Sequence, residues 1–231
     1  MKLVFTPDWF LGKDVMIEGF SFIVLLVFFL LCLKYYKLSK KKNFFYLGIG
    51  FLLIAIAQLA TILTKLVLYY DTTFTQQIGQ MIVTYNVIKS VDIFYHLGFF
   101  FNKLLTLLGL YVLYKLALKK KWTGDSYLVL YFLILVSILS LDIYYYIFHL
   151  TCLVLVLLII KNYFFIYKKN KHVNTGILVL AFSLLALCHL IFILSKLAIM
   201  YVVANLIELL SFIILLVLII KIIRHVRNIN K

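Results

Sequence analysis

Proline is almost absent. Pro7 is the only one in 231 residues. No later helix can therefore carry a proline kink, one of the few identifiable causes of a broken or hinged helix. This disfavours alternating access built on kinked helices, though not rigid-body rocking. Acidic residues are scarce as well, eight Asp and Glu against 23 Lys and Arg. Charged residues of both signs reach only 13%, about half the share of a soluble domain. Cys32, Cys152 and Cys188 lie inside apolar runs. They have neither metal-ligand spacing nor a disulfide framework, and read as small buried thiols. No P-loop, HExxH, Ser/His/Asp set or paired carboxylates occur. The expectation is a protein that is not an enzyme and holds no metal or cofactor. The N-terminus also lacks the basic stretch, apolar run and small-residue cleavage site of a secretory signal.

What the chain has in excess is apolar surface. Hydrophobic residues make up 66% and the mean hydropathy is +1.13. A soluble chain of this size cannot hide that much apolar area. The sequence therefore describes an all-α integral membrane protein, and it excludes a soluble enzyme, a nucleic-acid binder and a disordered tail. The net charge of +15 does not point to nucleic acid. The basic residues sit in short clusters between apolar runs, where they fix orientation and touch anionic headgroups.

A spanning helix needs about 20 apolar residues, and seven such runs are expected. They cover 18–36, 44–70, 93–118, 127–141, 144–167, 175–202 and 205–223. Only Leu141-Asp142-Ile143 divides the fourth from the fifth, so a six-span alternative stays open. At the start, Thr6 as N-cap, Pro7 at the first helical position and Asp8 near the dipole place the helix onset near Pro7. Trp9 and Phe10 suit an interfacial anchor. Basic clusters follow the first run (Lys34, Lys37, Lys40–Lys42), the third (Lys115, Lys119–Lys121), the fifth (Lys161, Lys168, Lys169, Lys171) and the seventh (Lys221, Arg224, Arg227, Lys231). Asp71, Asp92 and Asp142 occupy the alternate connections. The positive-inside rule then expects the N-terminus outside and the C-terminus in the cytoplasm, with the chain in the cell membrane. The longest connection, 71–92, has β-prone patches on either side of Gly79. A short hairpin and a surface helix both fit it.

The chain also carries an internal repeat. A shift of about 131 residues lays the second run over the sixth without a gap. Gly50-Phe51-Leu52-Leu53-Ile54-Ala55 falls on Ala181-Phe182-Ser183-Leu184-Leu185-Ala186. Ile62-Leu63-Thr64-Lys65-Leu66 falls on Ile193-Leu194-Ser195-Lys196-Leu197, and Lys40 and Asn43 fall on Lys171 and Asn174. The expected organisation is one seven-helix domain over 1–231. It divides into a three-helix repeat at 7–125, a linker helix at 126–141 and a second three-helix repeat at 142–231. This is a parallel 3+1+3 arrangement.

Seven runs, an outside N-terminus and a parallel three-helix duplication resemble, at the level of topology, the microbial rhodopsins and the SWEET and PQ-loop sugar transporters. The resemblance to microbial rhodopsins implies a retinal Schiff-base lysine in mid-span seven. That span runs from Asn205 to Val217 without one, and Lys221 stands at its end. The resemblance to PQ-loop transporters implies proline hinges, which this chain lacks. The seven-span hydrolases resembling alkaline ceramidases imply several histidines on facing helices. Here His96, His149 and His189 fall on different runs, with no i,i+4 pair.

Polar and ionisable groups inside a span each cost a few kcal/mol and mark candidate functional positions. Gln58, Thr61 and Lys65 share one helix face. His189 and Lys196 stand at the repeat-equivalent places of Gln58 and Lys65. His96, Asn102, Lys103, His149, Asn205, Glu208 and Ser211 complete the set. The alternation of spans puts them at a common depth. The expectation is a polar pocket in the extracellular half formed by Gln58, Lys65, Asn102, His149, His189, Lys196 and Glu208, with Glu208 neutralising Lys65 or Lys196. The competing reading has both lysines snorkelling to headgroups and the rest bonding between helices. Functionally this suggests a sensor or receptor-like protein with the bilayer, a small ligand or a membrane protein as partners. A small 3+1+3 transporter or channel and a ligand-free assembly subunit are the alternatives.

Overall fold

The computed structural model describes residues 8–10, 12–78, 81–118, 125–140, 145–194 and 198–229; the side chains of 8, 68–78, 81–93, 125, 198 and 225–229 lie outside the description. Among the described residues there are seven α-helices and no strand. They are α1 (Lys13–Ser39), α2 (Lys42–Ile78), α3 (Met81–Leu118), α4 (Asp125–Leu139), α5 (Tyr145–Asn170), α6 (Val173–Leu194) and α7 (Ala198–Ile229). Six are long and apolar enough to cross a membrane. The exception is α4. Its 15 residues span about 22 Å at 1.5 Å per residue, short of the roughly 30 Å hydrocarbon core. Leu, Ile, Val, Phe and Tyr side chains are exposed along the outside of the helices, as lipid contact requires. The chain is thus a helical bundle consistent with a multi-pass membrane protein.

Three expected boundaries move. A single 3-10 turn covers Asp8–Phe10, and α1 begins only at Lys13. Gly12 caps it at φ 82, a left-handed conformation that favours glycine, and its N–H donates to Asp14 Oδ1 at 3.1 Å. Of the two conformations open for 71–92, the hairpin does not form and helix does, since α2 runs on to Ile78 and α3 starts at Met81. β-propensity is context-dependent and yields there to continuation of two long helices. The sixth span ends at Leu194 rather than near 202. Asn205, which reads as a break in sequence, lies inside α7 and donates its side-chain N–H to the Tyr201 carbonyl at 2.9 Å.

Six helices close a ring in the order α1, α2, α3, α5, α6, α7, with α7 packed back on α1. α4 stands outside against α3 and α5. Close approach within the ring has a visible cause. A Cβ on Gly109 of α3 would sit 2.7 Å from the Gly50 carbonyl oxygen of α2, so glycine there lets the two backbones touch. The turns joining α1 to α2 and α5 to α6 are alike. Lys40 (φ 55) and Lys171 (φ 49) both adopt the left-handed conformation. Their N–H groups donate to Tyr36 and Tyr167 carbonyls at 2.8 and 2.7 Å.

Candidate functional site

Call the end of the bundle where α1, α5 and α7 begin its upper end. A cavity of about 180 Å³ opens there. Its walls come from the first turns of α1, α5 and α7, the upper part of α3, and the last turns of the apolar stretches of α2 and α6. Lining residues include Glu18, Gln58, Thr61, Lys65, Asn102, His149, His189, Tyr201 and Glu208. Six of the seven residues expected from sequence therefore share one cavity. The seventh, Lys196, lies outside the described residues. His96 is exposed and does not line the cavity.

The pairing within the cavity differs from expectation. Glu208 does not neutralise Lys65. Its Oε1 accepts from Gln58 Nε2 at 3.2 Å. Lys65 donates to Asp14 Oδ2 at 2.7 Å, Glu18 Oε1 at 2.5 Å and the Tyr201 hydroxyl at 3.1 Å. Nor does it snorkel, because it is only 2% exposed. The physical reason is local. Asp14 and Glu18 stand at i,i+4 on one face of α1, and that face turns towards α2. Glu18 Oε2 is buried and has no hydrogen-bond partner among the described residues.

The remaining contacts tie helices together across the cavity. Asn102 Nδ2 donates to the Ala57 carbonyl at 3.0 Å, joining α3 to α2. Lys103 is buried and donates to the Ser140 carbonyl at the end of α4. His149 and His189 meet through their Nδ1 atoms at 3.3 Å. One must donate and the other accept, so the two rings take opposite tautomers, with either ring as the donor. His149 stacks on Phe192 at 4.6 Å, and the Tyr201 ring lies 5.7 Å from the Lys65 ammonium.

The chain matches no family model, no curated protein and no solved structure. The site must therefore be argued from its own geometry. No group of three or more His, Cys, Asp or Glu among the described residues could hold a metal ion. The cavity offers carboxylate acceptors, amide donors and aromatic faces, which suits recognition of a small polar solute. Sequence reasoning passed over Asp14 and Tyr201. Asp14 had a usable signal, since two acidic residues one turn apart are conspicuous in a chain with eight. Tyr201 had none, being one of 17 tyrosines.

A second cavity of about 310 Å³ lies at the opposite, lower end. It is mostly apolar, with Asn43, Asn174 and Thr175 among its lining. Buried core residues stand between the two, among them Leu25, Phe51, Leu110, Val156, Phe182 and Phe212.

Proposed function

We propose that the protein is a receptor- or sensor-like component of the cell membrane, N-terminus outside, whose upper cavity takes a small polar ligand. In this reading α1–α3 and α5–α7 are parallel copies of one three-helix unit, and α4 is the linker. One observation carries the proposal. The walls of the upper cavity come in repeat-equivalent pairs. The 131-residue shift relates Glu18 to His149, Gln58 to His189 and Thr61 to Phe192. From α3 to α7 the shift is 102, the difference being the longer upper ends of α2 and α3. It relates Phe99 to Tyr201, Lys103 to Asn205 and Thr106 to Glu208. The register of the third helix is supported separately. Gly109 packs on the Gly50 carbonyl, and its equivalent Ser211 donates to the carbonyl of Ala181, the equivalent of Gly50, at 2.8 Å.

The cavity therefore lies on the pseudo-two-fold axis between the copies, where parallel-repeat membrane proteins place their ligands. The exposed lysines of the two matching turns, Lys40–Lys42 and Lys168–Lys171, gather at the lower end, as a cytoplasmic face requires. A second reading, a small transporter, has one observation of its own. The lower cavity also falls on the axis, with Asn43 paired to Asn174, Leu47 to Leu178 and Leu116 to Leu218. Against it stands the apolar septum, itself three pairs: Leu25 with Val156, Phe51 with Phe182, Leu110 with Phe212.

The test compares binding with flux. The purified protein in nanodiscs is melted with a panel of small amines, carboxylic acids, alcohols and sugars, and the same solutes are offered to proteoliposomes. Binding to the folded state alone stabilises it, by about 2.7 kcal/mol at a hundredfold excess over Kd. The expected result is stabilisation by one chemical class, lost in the double variant Gln58→Leu, Glu208→Leu, without flux. Saturable uptake abolished by the same variant would move the assignment to transport.

A further inference from the structure

We propose that the ligand of the upper cavity is a small organic ammonium. The inference rests on the reading of that cavity as a ligand site and names the chemistry it would select. The starting point is Glu18. Its Oε2 is buried and finds no donor among the described residues, while the residue lines the cavity. A carboxylate oxygen out of water without a donor is costly, and each such atom calls for an explanation. The nearest cation cannot supply one. An ammonium has three N–H donors, and those of Lys65 are directed to Asp14, Glu18 Oε1 and Tyr201.

That saturation also argues against an anionic ligand, because Lys65 has nothing left to offer one. Lys103 is turned to the Ser140 carbonyl. Glu208 is a second acceptor on the wall, bonded to the Gln58 amide and not to a cation. On the cavity wall the acceptor left without a donor among the described residues is a carboxylate oxygen, which an ammonium N–H can satisfy.

The walls favour an organic cation over a bare metal ion. Hard cations take cages of six or more oxygens, whereas Phe99, Phe148, Phe192 and Tyr201 supply aromatic surface here. Aromatic faces attract ammonium groups, and Tyr201 already has the Lys65 ammonium 5.7 Å from its ring. The 180 Å³ of space equals about six waters at roughly 30 Å³ each. A primary amine with a short alkyl chain fits that volume.

The probe is n-propylammonium chloride, titrated calorimetrically into the full chain in nanodiscs. Sodium propionate, 1-propanol, sodium chloride and potassium chloride are the comparisons. Propylammonium is expected to bind and the four comparisons to fail. Glu18→Gln and Glu208→Gln should each weaken it at least about tenfold, while Asn43→Ala at the lower cavity leaves it unchanged. Glu208→Gln keeps the amide contact to Gln58, so one of the pair remains informative if Glu18→Gln does not fold. Equal binding of propionate or propanol would overturn the ammonium assignment and leave the ligand-site reading standing. Binding of sodium or potassium in place of propylammonium would do the same. If no probe binds to the unaltered protein, the ammonium assignment falls, and the melting panel above decides the ligand-site reading separately.

Discussion

Replacing Lys65 with Met separates a buried ionic network from a lysine reaching for headgroups. The substitution nearly conserves volume and removes only the ammonium. In the structure Lys65 is 2% exposed, Asp14 1% and Glu18 7%, with N–O distances of 2.7 and 2.5 Å. Taking away one partner of a buried pair leaves an uncompensated charge and costs about 3–5 kcal/mol. Here two carboxylates lose the same ammonium, so the upper part of that range is expected. At roughly 2–4 °C per kcal/mol for a chain of this size, the melting temperature should fall by about 10–20 °C. An exposed lysine would contribute less than about 1 kcal/mol, a fall of a few degrees at most. Thermal melts read by size-exclusion in detergent distinguish the two. The triple variant Asp14→Asn, Glu18→Gln, Lys65→Met removes the stranded charges as well and should recover most of the loss, since uncharged replacements of buried pairs are often neutral. A single variant within about 3 °C of the parent refutes the network. So does a triple variant that melts as low as the single.

Two further outcomes follow from packing and from the repeat. Gly109→Ala should destabilise although alanine is the better helix former by about 1 kcal/mol, because its Cβ would meet the Gly50 carbonyl at 2.7 Å. Gly19→Ala in α1, with nothing within 4 Å of its Cβ, should raise the melting temperature in the same assay. Single cysteines placed at Lys40 and at Lys171 should both react with an impermeant maleimide in inverted vesicles and neither in intact cells. The native Cys32, Cys152 and Cys188 are buried and should stay silent. Labelling of the two sites from opposite faces would remove the parallel repeat.

The sequence was most legible where chemistry is rare. A lysine, a glutamate or a histidine inside an apolar run carries its cost with it, and alternation of spans is enough to set its depth. Gln58, Lys65, Asn102, His149, His189 and Glu208 could therefore be placed together without knowing how the helices pack. Pairing was not legible, because depth says nothing about azimuth. Glu208 and Glu18 stand at similar depth as acceptors for Lys65, and only the facing of α1 towards α2 decides for Glu18 and Asp14. The start of the seventh run moves because a polar residue there is satisfied inside its own helix. Asn205 looks like a break and is instead bonded one turn back. α4 reads as a span from its apolar composition, with six spans as the open alternative, and its 15 residues are short for the bilayer.

If α1–α3 and α5–α7 are copies, as proposed, their equivalent positions differ mainly at one end. Through the septum and the lower cavity the equivalents are alike: Phe51 and Phe182, Leu113 and Leu215, Leu116 and Leu218, Asn43 and Asn174. At the upper cavity most are not, although Lys65 matches Lys196 and Phe99 matches Tyr201. Glu18 stands against His149, Gln58 against His189, Thr61 against Phe192, Lys103 against Asn205 and Thr106 against Glu208. A structural bundle gains nothing from this contrast. Apolar pairs such as those of the septum would close the upper end at less cost than buried carboxylates and lysines, since a buried ion pair is often no more stabilising than a hydrophobic replacement. The charged groups also sort by half. Among the described residues, Asp14, Glu18, Lys65 and Lys103 belong to α1–α3, whereas α5–α7 contribute Glu208 and a pair of histidines. On the proposed repeat, a symmetric scaffold would carry an asymmetric pocket, with carboxylates on α1 and α7 and imidazoles with an aromatic face on α5 and α6. A solute with one charged end and one apolar end can be oriented by such a pocket, which a symmetric one could bind only in two equivalent poses.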